Sequence, residues 1–223
     1  MAHCQPFLGM ADDVSSDISR NRIRTSPAMN NSPNATIAQS IWPGSNAVVR
    51  GIAFAVLGSL LLTLAAKVKI PFEPVPVTMQ VFVVLALGLL MGARLATATV
   101  LLYLAQGAAG LPVFTGTPEK GIGLAYMLQG TGGYLIGFVL AAGIVGWLAD
   151  RGFSRNIWLA AVAALLGLAA IYVPGVAWLG ALFGWDKPIL AWGFWPFIVP
   201  DLMKAAPAAL LIPASWHLIR QRK

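Results

Sequence analysis

Asp201 and Lys204 stand three residues apart inside an otherwise apolar run, residues 188–219. That spacing puts a carboxylate and an ammonium on one helical face, where each neutralises the other. An ionised side chain in the middle of a membrane helix costs about 2.5–3.5 kcal/mol even on the gentlest insertion scale, so the pair is expected to face a bundle interior or a cavity. Such groups mark ligand or ion paths by default. The chemistry available is polar recognition, with the carboxylate accepting from an N–H and the ammonium donating or holding the carboxylate ionised. The competing reading is an internal ion pair that only fixes helix packing. Pro200, immediately before Asp201, leaves the carbonyl of Pro196 without its usual donor.

A second candidate is the connection that runs from Gly110-Leu-Pro-Val-Phe-Thr-Gly116 to Gly130-Thr-Gly-Gly-Tyr134. A loop of this length is functional or disordered, and its apolar content (Val113, Phe114, Leu124, Tyr126, Met127) argues against disorder. The expectation is a lid folded back over a helix bundle, with a packing element that touches no ligand as the alternative. A third candidate is the stripe Ala47, Gly51, Ala55 and Ser59, four small residues at fourfold spacing that allow another helix to approach closely.

Catalytic and nucleotide-binding signatures are missing. There is no GxxxxGK[ST], HExxH, GxSxG or CxxC, and the two histidines, His3 and His217, are far apart in the chain. No nucleophile stands with a base, and one carboxylate beside one lysine offers no second acid–base partner. The chain reads as a binding protein with neither enzyme activity nor a bound metal or cofactor.

The elements that hold these residues follow from composition. The 223 residues are 58% hydrophobic and only 10% charged, with a mean hydropathy of +0.75. A soluble chain carries about 25% charged residues, so the apolar excess must face lipid. The net charge of +7 does not form the solvated basic stripe of a nucleic-acid binder; the charges instead punctuate apolar runs. Six runs predict six spanning helices, at 47–66, 78–92, 95–109, 133–149, 157–179 and 193–218. No ten-residue alternation suggests a barrel. Residues 1–45, rich in Asp, Ser, Asn and Arg between Ala11 and Ala35, are expected to form a disordered cytoplasmic tail. The domain is then 46–223.

Orientation follows from the short loops. With the N-terminus inside, ten of the fifteen basic residues are cytoplasmic, four (Lys67, Lys69, Lys120 and Lys187) are outside, and Lys204 is within the membrane. Trp147, Trp158 and Trp216 then fall near the inner interface and Trp178, Trp185, Trp192 and Trp195 near the outer one, as aromatic belts do. Both termini are expected in the cytoplasm, with a ligand pocket near the outer face.

Four segments in order, Pro74-Val-Pro-Val-Thr-Met-Gln80, Gly110-Leu-Pro-Val-Phe114, Gly130-Thr-Gly-Gly-Tyr-Leu-Ile-Gly-Phe138 and Pro196-Phe-Ile-Val-Pro-Asp-Leu-Met-Lys204, resemble the BioY family over about residues 46–220. Its members are the biotin-specific substrate-binding (S) components of energy-coupling-factor transporters. The resemblance implies a six-helix protein of the cytoplasmic membrane that takes up biotin, energised by a transmembrane T component and a pair of ABC-type ATPases. It places Asp201, Lys204 and Tyr134 at the ligand, Phe114, Thr131, Gly132 and Gly133 in a lid, and Thr78 and Gln80 nearby. It assigns Ala47, Gly51, Ala55 and Ser59 to the T-component interface. An S component for another vitamin, or a structural membrane protein, would share many of the same features.

Overall fold

The computed structural model describes residues 46–116, 119 and 121–221, with side chains up to Ser215. The expected tail, 1–45, lies outside the described residues. Six helices of at least twelve residues dominate: α1 (Ala47–Lys67), α2 (Gln80–Met91), α3 (Ala93–Ala108), α5 (Gly132–Asp150), α6 (Ile157–Phe183) and α8 (Trp195–Gln221). Two short helices, α4 (Leu124–Met127) and α7 (Ile189–Gly193), sit in the connections. Among the described residues four segments, Ala47–Lys67, Gly132–Asp150, Ile157–Phe183 and Ile189–Ser215, are long and apolar enough to cross a membrane. At 1.5 Å per residue the twelve residues of α2 reach only about 18 Å and the sixteen of α3 about 24 Å, short of the ~30 Å hydrocarbon core.

Local chemistry explains where these helices start and stop. Pro71, Pro74 and Pro76 follow α1 and cannot donate to a helix ladder. The chain instead makes a two-residue antiparallel ladder, β1 (Lys69–Ile70) with β2 (Val77–Thr78), pairing Lys69 with Thr78 and Ile70 with Val77. The helix expected to begin at 78 therefore begins at Gln80. α2 and α3 are joined by a single residue, Gly92, at φ +78°, a conformation that favours glycine. Gly146 of α5 lies against this corner, where a Cβ would meet the Ala93 backbone at 2.5 Å. The Asp150 carboxylate accepts from the Ala93 N–H at 3.0 Å, supplying an acceptor for an orphan donor at the start of α3. α6 is capped by Asn156, whose side chain accepts from the N–H groups of Trp158 and Leu159, and it runs on past the expected end at 179.

The core is built round α5, twelve of whose nineteen residues are buried. α1 is peripheral, with five of twenty-one buried, and all five lie in its second half. There Gly58 meets α3, a Cβ at that position lying 2.6 Å from Thr99 Cγ2. Ser59 is buried and hydrogen-bonded to Gln106. The small-residue stripe is thus split: Ala47 is exposed, Gly51 and Ala55 are half-buried, and Ser59 is spent on contact within the chain. The expectation that all four face a partner is corrected at Ser59.

Candidate functional site

Five of the six long helices meet at one site: the start of α2, the second half of α3, the start of α5, the second half of α6 and the start of α8, with β2 and α4. A cavity of about 50 Å³ lies among them. Its walls include all four tyrosines of the chain, Tyr103, Tyr126, Tyr134 and Tyr172, with Phe114, Phe138, Phe197, Thr78, Gln80, Thr115, Thr131 and Asp201.

Asp201 is 2% exposed. Its Oδ1 accepts from Lys204 Nζ at 2.7 Å and its Oδ2 from the Tyr172 hydroxyl at 2.8 Å. Lys204 Nζ also donates to the Thr78 carbonyl at 2.8 Å, tying α8 to β2. Two donors keep the carboxylate compensated away from water. Lys204 stands behind Asp201 and lines an apolar groove on the outside of the bundle, with Met79, Phe82, Pro200, Met203 and Pro207. It meets the cavity wall through Asp201 and the Thr78 carbonyl.

A second polar cluster stands on the α2–α3 side. Buried Gln80 donates from Nε2 to the Tyr103 hydroxyl at 2.8 Å, and that hydroxyl donates to the Val113 carbonyl at 3.2 Å. Gln80 Oε1 lies 3.3 Å from the Thr78 hydroxyl and 3.4 Å from that of Thr115. Thr115 also donates to the Ala66 carbonyl at 3.0 Å. Phe114 stacks on Tyr126 with centroids 5.0 Å apart and meets Tyr103 edge-on at 5.4 Å. Gly107 makes room for it, since a Cβ there would overlap the Phe114 ring.

The Tyr134 hydroxyl donates to the Gly193 carbonyl at 2.6 Å, so its ring, rather than its hydrogen, is what it offers the cavity. Gly175 allows this approach, because a Cβ there would meet the ring at 2.5 Å. The Thr131 hydroxyl is buried without a hydrogen-bond partner. The Tyr126 phenol lies within reach of it. A buried hydroxyl left unpaired costs about 1–3 kcal/mol, and this one lies on the cavity wall.

The structure therefore gathers Asp201, Tyr134, Thr131, Phe114, Gln80 and Thr78 round one space, with Lys204 in support. Gly132 and Gly133 are placed elsewhere. They form the first turn of α5, packed on α6, where a Cβ at Gly132 would overlap the Met127 carbonyl and one at Gly133 would overlap Trp178 and the Pro174 carbonyl. Their role is close helix packing, a correction to their place in a lid. Trp178, expected in an aromatic belt, is half-buried over these glycines and donates to the Gln129 carbonyl at 2.9 Å. The expectations had no place for Tyr172, Tyr103, Thr115, Phe138 and Phe197. A tyrosine inside an apolar run must find a partner for its hydroxyl, and that signal was available for Tyr103 and Tyr172.

The BioY family model matches residues 31–221. The chain belongs to the BioY family. The match starts fifteen residues before the expected domain boundary. Curated BioY relatives include a probable biotin transporter of Pyrococcus horikoshii, 39% identical over 68% of this chain and 86% of that one. The biotin transporter of Thermotoga maritima is also 39% identical, over the same shares. A probable biotin transporter of Lysinibacillus sphaericus is 37% identical over 73% of this chain and 85% of its own. In fold, the chain is similar to the 2.1 Å crystal structure of the S-component for biotin from an ECF-type ABC transporter, with a TM-score of 0.66 and 24% identity over 76% of this chain and 92% of that one. The BioY resemblance read from four sequence segments and the fold agree.

Proposed function

We propose that this chain captures biotin and delivers it across the cytoplasmic membrane as the S component of an energy-coupling-factor transporter. The observation that carries this reading is a buried carboxylate, held by two donors, on the wall of a cavity lined with aromatic rings, in a chain whose BioY relatives are named as biotin transporters. Biotin matches that lining. Its ureido ring offers two N–H donors and a carbonyl, its thiophane ring is apolar, and its tail carries a carboxylate. A ureido N–H meets Asp201, and the ring system lies against Tyr134, Phe114 and Phe197. Thr131, Gln80 and Thr78 supply the remaining polar contacts. Such a site rejects analogues without the ureido group, because its buried polar atoms would then go unpaired.

A cavity of about 50 Å³ holds a few waters but not a bicyclic vitamin. Entry therefore requires the cavity walls to move apart. All six long helices cross the membrane in this reading, α2 and α3 being short legs joined at Gly92, with both termini in the cytoplasm and the cavity toward the outer face. The charge count supports that orientation. The first half of α1, with Ala47, Gly51 and Ala55, meets the T component, and paired ABC-type ATPases supply the energy that a chain without a P-loop cannot.

Purified protein is titrated with labelled biotin in detergent and challenged with a panel of other vitamins. Saturable binding displaced only by biotin is expected. No saturable binding, or displacement by a different vitamin, overturns the reading.

A further inference from the structure

Tyr172 stands out among the cavity residues because its hydroxyl is committed to a group that the ligand also needs. It donates to Asp201 Oδ2 at 2.8 Å, while Lys204 occupies Oδ1 at 2.7 Å. Each carboxylate oxygen has two acceptor directions, so one remains on each, and Asp201 lines the cavity. The Tyr172 ring is itself held, with Phe194 edge-on at 5.2 Å, and the residue is buried. A carboxylate on a single tether can rotate about its last bond. One tethered at both oxygens, from α6 on one side and from its own helix on the other, cannot rotate without breaking a charge-assisted hydrogen bond.

Resting on the biotin reading above, we infer that Tyr172 is a positioning residue. It fixes the plane of the Asp201 carboxylate so that a free acceptor direction points at a ligand N–H, and it thereby sets selectivity for ligands that carry that donor. Tyr172 reads the ligand through Asp201 and needs no contact of its own.

The test compares biotin with an analogue methylated on both ureido nitrogens, which has no N–H to offer, in detergent-purified wild type, Tyr172→Phe, Asp201→Asn and the double variant. Tyr172→Phe is expected to weaken biotin at least tenfold and to change affinity for the methylated analogue less than threefold. In the Asp201→Asn background the same substitution is expected to change biotin affinity less than threefold. An equal loss for both ligands, or an undiminished loss without Asp201, makes Tyr172 a structural partner only and overturns the inference. Site-specific fluorinated tyrosine at 172 keeps the shape and alters donor strength, so it decides the matter even if the phenylalanine variant fails to fold. A biotin affinity equal to wild type overturns the inference, and a change confined to biotin supports it. Failure of the wild type to bind biotin brings down the parent reading as well, which separates the two.

Discussion

The Lys67 ammonium donates to the Phe114 carbonyl at 2.9 Å and to that of Pro112 at 2.8 Å. The last residue of α1 is thereby fastened to the segment whose aromatic ring lines the cavity. Thr115 adds a third tie, to the Ala66 carbonyl. Replacing Lys67 with Met removes two charge-assisted donors of the kind worth about 1.5–3 kcal/mol each when buried and less at an exposed end. Biotin dissociation is expected to quicken several-fold in Lys67→Met, measured by chasing labelled biotin with unlabelled ligand. An unchanged off-rate would show that this tie does not govern the cover.

Asp201→Asn replaces an acceptor that serves two protein donors with a neutral amide. Biotin affinity is expected to drop by at least an order of magnitude, the equivalent of one hydrogen bond to a charged group, while the protein still purifies as a folded monodisperse species. Equal affinity of wild type and variant in a detergent titration would remove Asp201 from ligand contact.

Gly133→Ala introduces a Cβ that overlaps Trp178 and the Pro174 carbonyl. Backbone atoms cannot yield as a flexible side chain does, so α5 and α6 must separate. A loss of about 1–3 kcal/mol, the usual range for overpacking, is expected as a lower Tm in detergent, against no change for Gly51→Ala. Matching melting curves would show that the two helices are not in intimate contact here.

Nothing lies within 4 Å of a Cβ built on Gly51, so Gly51→Leu is expected to leave folding and biotin affinity intact. Its effect should appear only in assembly, as a reduced yield of T component co-purified with this chain. Ser59→Leu should behave differently, since it breaks the Gln106 contact and lowers stability first. Full co-purification with Gly51→Leu would clear this face of any role in docking.

The long helices were legible because charge and apolarity alternate along the chain at the scale of a membrane. The expected 47–66 differs from Ala47–Lys67 by one residue at its C-terminal end, and 133–149 differs from Gly132–Asp150 by one residue at each end. What escaped was set by contacts distant in sequence. Thr78 was expected in a helix, but its pairing with Lys69 depends on the three prolines folding the chain back. Gly132 and Gly133 read as loop glycines because no local pattern shows that Trp178, over forty residues away, presses on them. Asp201 and Lys204 were found because charge in an apolar run is conspicuous. Tyr172 was not, because a single phenol in a hydrophobic helix changes hydropathy little, although its hydroxyl completes the same site.

At the far end of the bundle the one-residue corner at Gly92 is wedged by Gly146 and pinned by Asp150. No slack remains there for helices to spread. The tight packing is at the end away from the cavity, so the molecule resembles a purse with a stitched bottom, its mouth tied by the Lys67 and Thr115 contacts. Substitutions in the stitching would be felt as lost durability, and those at the string as altered timing.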